Sequence, residues 1–270
     1  MKTRAITGFF FIIVMLASVL LGHWVFGGFY LLLSLFCLNE FYSLIKQTGV
    51  SPNQSTGMLG GAVIYTIFAL VTAADGNPLY HKLLFLIVIA LTAVFMQELF
   101  KKTPAPFTNI AYTFLGLILV VVPFTFFHAM AYIQGDFNFH FPLAFLLMLW
   151  ANDTGAYLTG MAFGRHKLFE RHSPKKTWEG FIGGVAIAAG AGLIISHFYV
   201  ELEWQQWVIM AILIGTIGTM GDLVESMFKR SINVKDSGGI LPGHGGLLDR
   251  FDGLFLAAPI VYSYLYLISK

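Results

Sequence analysis

The sequence predicts an all-α polytopic integral membrane protein with about nine transmembrane helices and a cytosolic N-terminus. Hydrophobic residues make up 57% of the 270 residues and charged residues 11%, and the mean hydropathy is +0.75. A soluble domain of this size needs more polar side chains to cover its surface. The apolar runs reach the length of about 20 residues that a spanning helix requires. They show no alternation of period 2, and Gly, Pro, Asn and Asp separate them, which favours helices over a barrel.

Nine apolar runs are long enough to be candidate spans. They lie near residues 5–22, 25–45, 57–74, 83–100, 108–133, 141–163, 178–199, 205–228 and 248–269. The first run has the basic start and apolar centre of a signal peptide. Because no A-x-A cleavage site follows and further spans come at once, we interpret it as an uncleaved first span.

The distribution of basic residues predicts the orientation. With a cytosolic N-terminus, 14 of the 16 Lys and Arg residues fall on the cytosolic side, and only Lys82 and Lys270 fall outside. The same orientation places the two longest polar loops, 164–177 and 229–247, on the cytosolic side. These loops are therefore the predicted working surface.

Seven acidic residues lie within or at the edges of the predicted spans. A charged side chain at the centre of a membrane span costs at least ~2.5 kcal/mol, so such a residue by default indicates a functional site. The seven are Glu40, Glu98, Asp153, Asp222, Glu225, Asp249 and Asp252. Glu40 and Glu98 lie near the cytosolic ends of their spans. For these two we favour a structural interpretation, in which they reach the interface or pair with nearby Lys46 or Lys101.

The C-terminal carboxylates form two pairs. Asp222 and Glu225 are three residues apart, as are Asp249 and Asp252, so each pair shares one helical face. A hairpin of spans eight and nine would bring both pairs to its cytosolic mouth, where oxygen ligands suit Mg²⁺ or Mn²⁺. The alternative is a set of structural ion pairs with the basic residues Lys229, Arg230 and Arg250.

Asp153 belongs to the polar run Asn-Asp-Thr-Gly inside the sixth span. Because these polar groups would lack partners in lipid, we expect them to face the same cavity as Asp222. A purely structural polar joint between helices is the alternative.

The 164–180 segment has the features of an anion site. It contains Ser173-Pro174, predicted as a turn, and then Lys175, Lys176 and Thr177 just before the seventh span. The positive end of that helix and its free N–H groups would lie beside the two lysines. The alternative is a basic cluster that binds anionic lipid head groups.

The segment 229–252 combines what a phosphate needs with what a metal needs. Its glycines, Gly238, Gly239, Gly243, Gly245 and Gly246, would let the backbone approach a ligand and point N–H groups at it. Basic residues precede these glycines and aspartates follow them. The segment has no P-loop, Rossmann or protein-kinase pattern.

Residues 226–252, SMFKRSINVKDSGGILPGHGGLLDRFD, resemble the signature of the phosphatidate cytidylyltransferases, the CDP-diacylglycerol synthases. That signature reads S-x-x-K-R-x4-K-D, a short glycine-containing stretch, and P-x-H-G-G-x-x-D-R-x-D. The matching positions are Ser226, Lys229, Arg230, Lys235, Asp236, Pro242, His244, Gly245, Gly246, Asp249, Arg250 and Asp252. SPKKTWEG at 173–180 and the Asn-Asp-x-Gly of the sixth span are also similar to the family.

The resemblance covers the C-terminal half specifically, whereas the first five spans match only in hydrophobic character. We therefore divide the chain into an N-terminal transmembrane region, 1–140, and a C-terminal catalytic region, 141–270. The catalytic region comprises about four helices around a cytosol-facing cavity.

The resemblance implies transfer of CMP from CTP to phosphatidic acid, which gives CDP-diacylglycerol and pyrophosphate in phospholipid biosynthesis. It implies Mg²⁺ held by Asp222 and Asp249, and it leaves a second cation open. The protein is expected in a bacterial cytoplasmic membrane among membrane lipids, as a homodimer, with no nucleic-acid partner.

The predicted site residues fall into two groups. The catalytic group is Asp222, Asp249, Lys235, Asp236, His244 and Asp252. The substrate-binding group is Lys175, Lys176, Ser226, Lys229, Arg230, Gly245, Gly246, Arg250 and Asp153. For His244 we favour hydrogen bonding or loop shaping over acid–base chemistry, because a phosphate monoester is already ionised at pH 7.

Two other functions are compatible with parts of the sequence. A CTP-dependent lipid kinase of the polyprenol type also acts on a lipid and a nucleotide, but it releases CDP where a cytidylyltransferase releases pyrophosphate. An ion-coupled transporter would explain intramembrane acids and glycine-rich helices. The polar residues gather at one membrane edge, however, which disfavours transport.

Overall fold

The computed structural model describes residues 2–74, 78–238 and 245–269. Within these ranges the chain forms ten α-helices and one two-stranded hairpin. The helices are α1 Lys2–Leu20, α2 His23–Lys46, α3 Gln54–Ala73, α4 Pro78–Phe100, α5 Pro106–Gly116, α6 Val122–Met130, α7 His140–Phe163, α8 Trp178–Ile195, α9 Trp204–Ser231 and α10 Leu248–Ile268.

Seven helical segments in the described ranges are long and apolar enough to cross a membrane. The helical, multi-pass fold class is therefore confirmed, while the count of nine spans and the orientation stay predictions. Helices α1 and α7 form where the first and sixth spans were predicted but are not among the seven segments. In α7 the polar run Asn152-Asp153-Thr154 interrupts the apolar sequence.

The chain divides into two compact units. The first comprises Met1–Asn138 and Asp236–Arg250, and the second comprises Phe139–Lys235 and Phe251–Lys270. The glycine-rich segment thus groups with the N-terminal helices, and the last of the three boundaries between the units falls between Arg250 and Phe251, in the first turn of α10.

In the first unit, α2, α3 and α5 meet at the ring of Tyr42. The Tyr42 hydroxyl donates a hydrogen bond to the backbone oxygen of Thr113 at 2.8 Å. A Cβ at Gly116 would lie 2.7 Å from the Tyr42 ring, so only glycine allows this approach. A π-helical turn at Leu117–Val121 joins α5 to α6. It ends two residues before Pro123, which has no N–H to donate to the preceding turn.

In the second unit, α7 and α8 pack backbone against backbone. A Cβ at Gly184 would lie 2.8 Å from the backbone oxygen of Asn152, and one at Gly180 would lie 2.9 Å from that of Ala156. Small residues allow such close packing between helices that share no hydrophobic driving force in lipid. The polar run of α7 is therefore fixed against α8.

The hairpin consists of β1, Lys167–Phe169, and β2, Ser173–Thr177, paired antiparallel. The predicted turn at Ser173-Pro174 was wrong, because both residues lie in β2 and the turn occupies 170–172. Proline is compatible with this strand because each strand of a two-stranded hairpin has an unpaired edge.

Candidate functional site

The second unit contains a cavity of about 410 Å³ lined by α7, α8, α9 and the hairpin. Pockets for small ligands typically enclose roughly 300–1,000 Å³. The lining residues include four that the sequence predicted for the site: Asp153, Lys175, Lys176 and Asp222. The structure therefore brings together the polar run of α7, the basic strand β2 and an acidic residue of α9.

Lys176 and Asp222 form an ion pair in this cavity. The Lys176 Nζ lies 2.6 Å from Asp222 Oδ2, and the side chains are 26% and 37% exposed. Ser226, one turn further along α9, donates from its hydroxyl to Asp222 Oδ1 at 3.4 Å. The cavity thus presents an accessible cation and an accessible carboxylate side by side.

Helix α8 begins beside the two lysines, as the sequence predicted. The Thr177 side chain caps the helix by accepting a hydrogen bond from the Gly180 N–H at 3.2 Å. The remaining N–H groups of the first turn and the helix dipole favour an anion at this end. Lys175 and Lys176 add two positive charges in the residues immediately before the helix.

Glu179, which was not predicted, attaches the hairpin to α8. Its carboxylate accepts hydrogen bonds from the backbone N–H of Arg165 at 3.1 Å and from that of His166 at 3.2 Å. Its Oε1 also lies 2.6 Å from the His166 ring nitrogen Nδ1. These contacts fix the residues that lead into β1, the strand that pairs with the lysine-bearing β2.

The other two acidic residues that the sequence predicted for the α9–α10 hairpin and that belong to the second unit, Glu225 and Asp252, differ in their contacts. Glu225 is buried, and its Oε2 lies 2.6 Å from Lys229 Nζ, so the ion-pair alternative applies to this residue. Asp252 is partly buried and lies within electrostatic range of Asp222, Glu225 and Asp153.

The donor set fits a magnesium ion that also binds substrate phosphates. Within the described ranges, no group of three or more His, Cys, Asp or Glu side chains is arranged to hold a metal by itself. Mg²⁺, however, usually binds through one or two carboxylates plus phosphates and waters. Asp153 and Asp222, which line the same cavity, supply oxygen ligands of that kind.

The basic residues at the end of α9 make local contacts. Asn233 has φ 57, and the Val234 N–H bonds to the Lys229 oxygen at 3.0 Å, which is the usual left-handed termination of a helix. Arg230 Nη1 donates to the Val234 oxygen at 3.2 Å. Lys235 follows and is exposed. The phosphate-binding roles of these side chains stay predictions.

In the first unit, Asp249 organises the glycine-rich segment. Its Oδ2 accepts hydrogen bonds from the backbone N–H groups of Ser237 at 3.1 Å and Gly246 at 3.0 Å. Gly245 has φ +81, a conformation that favours glycine. Asp236 and Arg250 are exposed.

Three predicted residues, His244, Gly239 and Gly243, lie outside the residues that the structure describes. The two predicted metal ligands belong to different units, Asp222 to the second and Asp249 to the first.

The predicted ion-pair partner of Glu40, Lys46, was wrong. Lys46 Nζ contacts Gln54, not Glu40, and Glu40 is buried against the glycine-rich segment. The predicted pairing of Glu98 with Lys101 is confirmed at 3.6 Å.

A model of the cytidylyltransferase family matches residues 2–268. The chain belongs to the cytidylyltransferase family. It is 33% identical over 265 residues to a phosphatidate cytidylyltransferase of Staphylococcus haemolyticus, with 97% of each chain covered. It is 33% identical over 264 residues to a protein of the same name from Staphylococcus aureus, and 32% identical to one from Staphylococcus saprophyticus, again with 97% of each chain covered.

Several residues that line the cavity were not predicted. Tyr157 and Met161 line the cavity at successive four-residue steps from Asp153, and Thr219 lies three residues before Asp222. Helical spacing from the two aspartates would have identified all three. Their contribution is the shape of the cavity wall.

Proposed function

We propose that this chain transfers CMP from CTP to phosphatidic acid, which gives CDP-diacylglycerol and pyrophosphate for phospholipid biosynthesis. The observation that carries the proposal is the cavity in which Lys175, Lys176, Asp153 and Asp222 meet. Two phosphate substrates repel each other, so a site that joins them needs positive charge and a means of holding a cation. The relatives named phosphatidate cytidylyltransferase support the choice of substrates.

The proposed reaction is an in-line displacement. A phosphate oxygen of the lipid forms a bond to the α-phosphorus of CTP, and the bond from that phosphorus to the α,β-bridging oxygen breaks, so pyrophosphate leaves with its electron pair. Lys175 and Lys176 hold phosphate oxygens and offset their charge, so positioning and electrostatics supply most of the catalysis. No covalent enzyme intermediate is needed, and no general base is needed to ionise the lipid phosphate.

We assign Asp222 and Asp249 as ligands of Mg²⁺, with a second cation left open. When bound, the ion supplies charge neutralisation between the two phosphate groups. Asp153, Asp236 and Asp252 are assigned to orient basic groups or complete the ligand set. Ser226, Lys229, Arg230, Lys235 and Arg250 are assigned to phosphate binding, and His244 to loop shaping.

The proposed setting is a bacterial cytoplasmic membrane, with the N-terminus and the reacting loops in the cytosol. Seven apolar helical segments in the described ranges support membrane insertion, and staphylococcal relatives support a bacterial membrane. A homodimer is a further prediction of the resemblance.

Double labelling of CTP tests the proposed reaction. Purified protein in detergent micelles is supplied with phosphatidic acid, Mg²⁺ and CTP labelled at either the α- or the γ-phosphorus. We expect the α-label in the lipid and the γ-label in pyrophosphate. A γ-label in the lipid together with released CDP would identify a lipid kinase, and no labelled lipid from either CTP would contradict the proposal.

A further inference from the structure

We propose that Glu40, on helix α2 and far from the signature in sequence, is a positioning residue for the reaction. In this role it holds the two arms of the glycine-rich segment, 236–238 and 245–248, and through them the carboxylate of Asp249. The inference rests on the proposed function, because the task of Asp249 belongs to that reaction.

Both arms donate hydrogen bonds to one oxygen of Glu40. Glu40 Oε2 accepts from the Ser237 hydroxyl at 3.2 Å and from the Leu248 backbone N–H at 2.7 Å. All three residues are buried, and the partners follow Glu40 by 197 and 208 positions in the chain. Leu248 is the first residue of α10, so its N–H has no intrahelical acceptor. Glu40 therefore caps α10 from another helix.

The same two arms also bind Asp249. Ser237 donates its hydroxyl to Glu40 and its backbone N–H to Asp249 Oδ2. The other arm donates from Leu248 to Glu40 and from Gly246 to Asp249 Oδ2. Each arm is therefore held by both carboxylates, and loss of Glu40 would release both groups that position Asp249.

Two glycines of the segment lie directly against Glu40. A Cβ at Gly238 would overlap Glu40 Oε1, and the three atoms nearest to that Cβ all belong to Glu40. A Cβ at Gly246 would overlap Glu40 Oε1 and the Ser237 hydroxyl. The sequence had suggested that these glycines admit a substrate. At both positions the close approach in the structure is to Glu40.

The arrangement is unfavourable for folding alone. Glu40 Oε1 is buried and has no hydrogen-bond partner among the described residues, and Glu40 lies within electrostatic range of Asp249. An unpaired buried oxygen and two neighbouring carboxylates both oppose folding. Because the groups that Glu40 holds belong to the arms that bind Asp249, we assign it the positioning of Asp249.

Substitution of Glu40 tests the role directly. We expect Glu40→Ala to lower kcat about 100-fold, as a small misplacement of reacting groups can do, with smaller changes in KM for CTP and phosphatidic acid. Glu40→Gln keeps an oxygen for Ser237 and Leu248, so we expect it to retain kcat within about 5-fold of wild type. The matched control is Glu98→Ala, which removes another buried carboxylate of the first unit that bonds to Thr103 and Asn109. This control should keep its kcat.

A double-mutant cycle with Gly238 separates positioning from general damage. We expect Gly238→Ala to lower kcat because its methyl group overlaps Glu40, and we expect it to have little further effect in the Glu40→Ala background, where that space is free. Multiplicative losses, an unimpaired Glu40→Ala, a Glu40→Gln as impaired as Glu40→Ala, or an equal loss in Glu98→Ala would each overturn the inference.

Hydrogen exchange keeps this test independent of the proposed reaction. The peptide that contains residues 245–250 should exchange faster in Glu40→Ala than in wild type and in Glu98→Ala. Unchanged exchange would overturn the positioning role. An inactive wild-type protein with the expected exchange pattern would instead count against the proposed function alone.

Discussion

Asp222→Asn will lower kcat for cytidylyl transfer by about 1,000-fold, the scale on which loss of one essential electrostatic contact reduces catalysis. The substitution keeps the shape of the side chain and removes its charge. Asp222 is the acidic residue that lies 2.6 Å from Lys176 in the cavity, and it is the proposed Mg²⁺ ligand. We expect Asp249→Asn to have the same effect, with membrane insertion and folding intact in both variants.

The Mg²⁺ dependence of activity distinguishes a ligand from a structural ion pair. If Asp222 only neutralises Lys176, Asp222→Asn should leave the Mg²⁺ concentration for half-maximal activity unchanged. We expect that concentration to rise, because a carboxylate ligand of the ion is lost. Steady-state kinetics with Mg²⁺ titrations measures this, and an unchanged Mg²⁺ dependence in Asp222→Asn would contradict the ligand assignment.

Gly184→Val will lower the free energy of unfolding of the protein by about 3 kcal/mol, the upper part of the usual range for overpacking. A Cβ at this position would lie 2.8 Å from the backbone oxygen of Asn152 and 2.9 Å from the Ala156 side chain. The helices must move apart to admit it, which also displaces the polar run that carries Asp153. We therefore expect lower kcat as well.

Gly190→Val is the matched control on the same helix. Apart from its chain neighbours and the adjacent backbone of its own helix, no described atom lies within 4 Å of a Cβ at Gly190. The change in helix propensity is the same in both variants. Thermal unfolding in detergent should therefore show a large loss for Gly184→Val and a small change for Gly190→Val. Equal losses in the two variants would show that α7 and α8 do not depend on this close packing.

The helical part of the fold was predictable because it depends on local composition. The predicted span 178–199 corresponds to α8, Trp178–Ile195, and the predicted span 108–133 corresponds to the helical segment Pro106–Met130. Its π turn was not predicted, although Pro123 is a local signal for an irregularity.

The hairpin was missed because its strands are too short for a pattern. Strand β1 has three residues, of which only Leu168 is buried, and β2 contains Pro174 and two lysines. Alternation over so few residues cannot be separated from a polar loop. The two lysines line the cavity from a strand, whereas the sequence predicted a loop there.

The role of Glu40 could not be predicted because it depends on contacts with residues 197 and 208 positions further along the chain. The sequence indicates a costly acid near the end of an apolar helix, for which we expected either contact with the membrane interface or a pairing with nearby Lys46. Its hydrogen-bond donors are a hydroxyl and a backbone N–H of the signature segment. Neither has a charge that would mark it as a partner.

The most direct test of the central claim, that the cavity of the second unit binds CTP, is substrate protection of a cysteine placed in it. The native Cys37 is the sole cysteine of the chain and is buried, so Met161→Cys provides an exposed thiol on the cavity wall. At CTP about 10-fold above its Kd, with Mg²⁺, alkylation by a water-soluble maleimide should slow about 10-fold. Phe198 is exposed and is not among the residues that line the cavity. The control variant Phe198→Cys should therefore be alkylated at the same rate with and without CTP. An unchanged rate at Met161→Cys in the presence of saturating CTP would contradict the account.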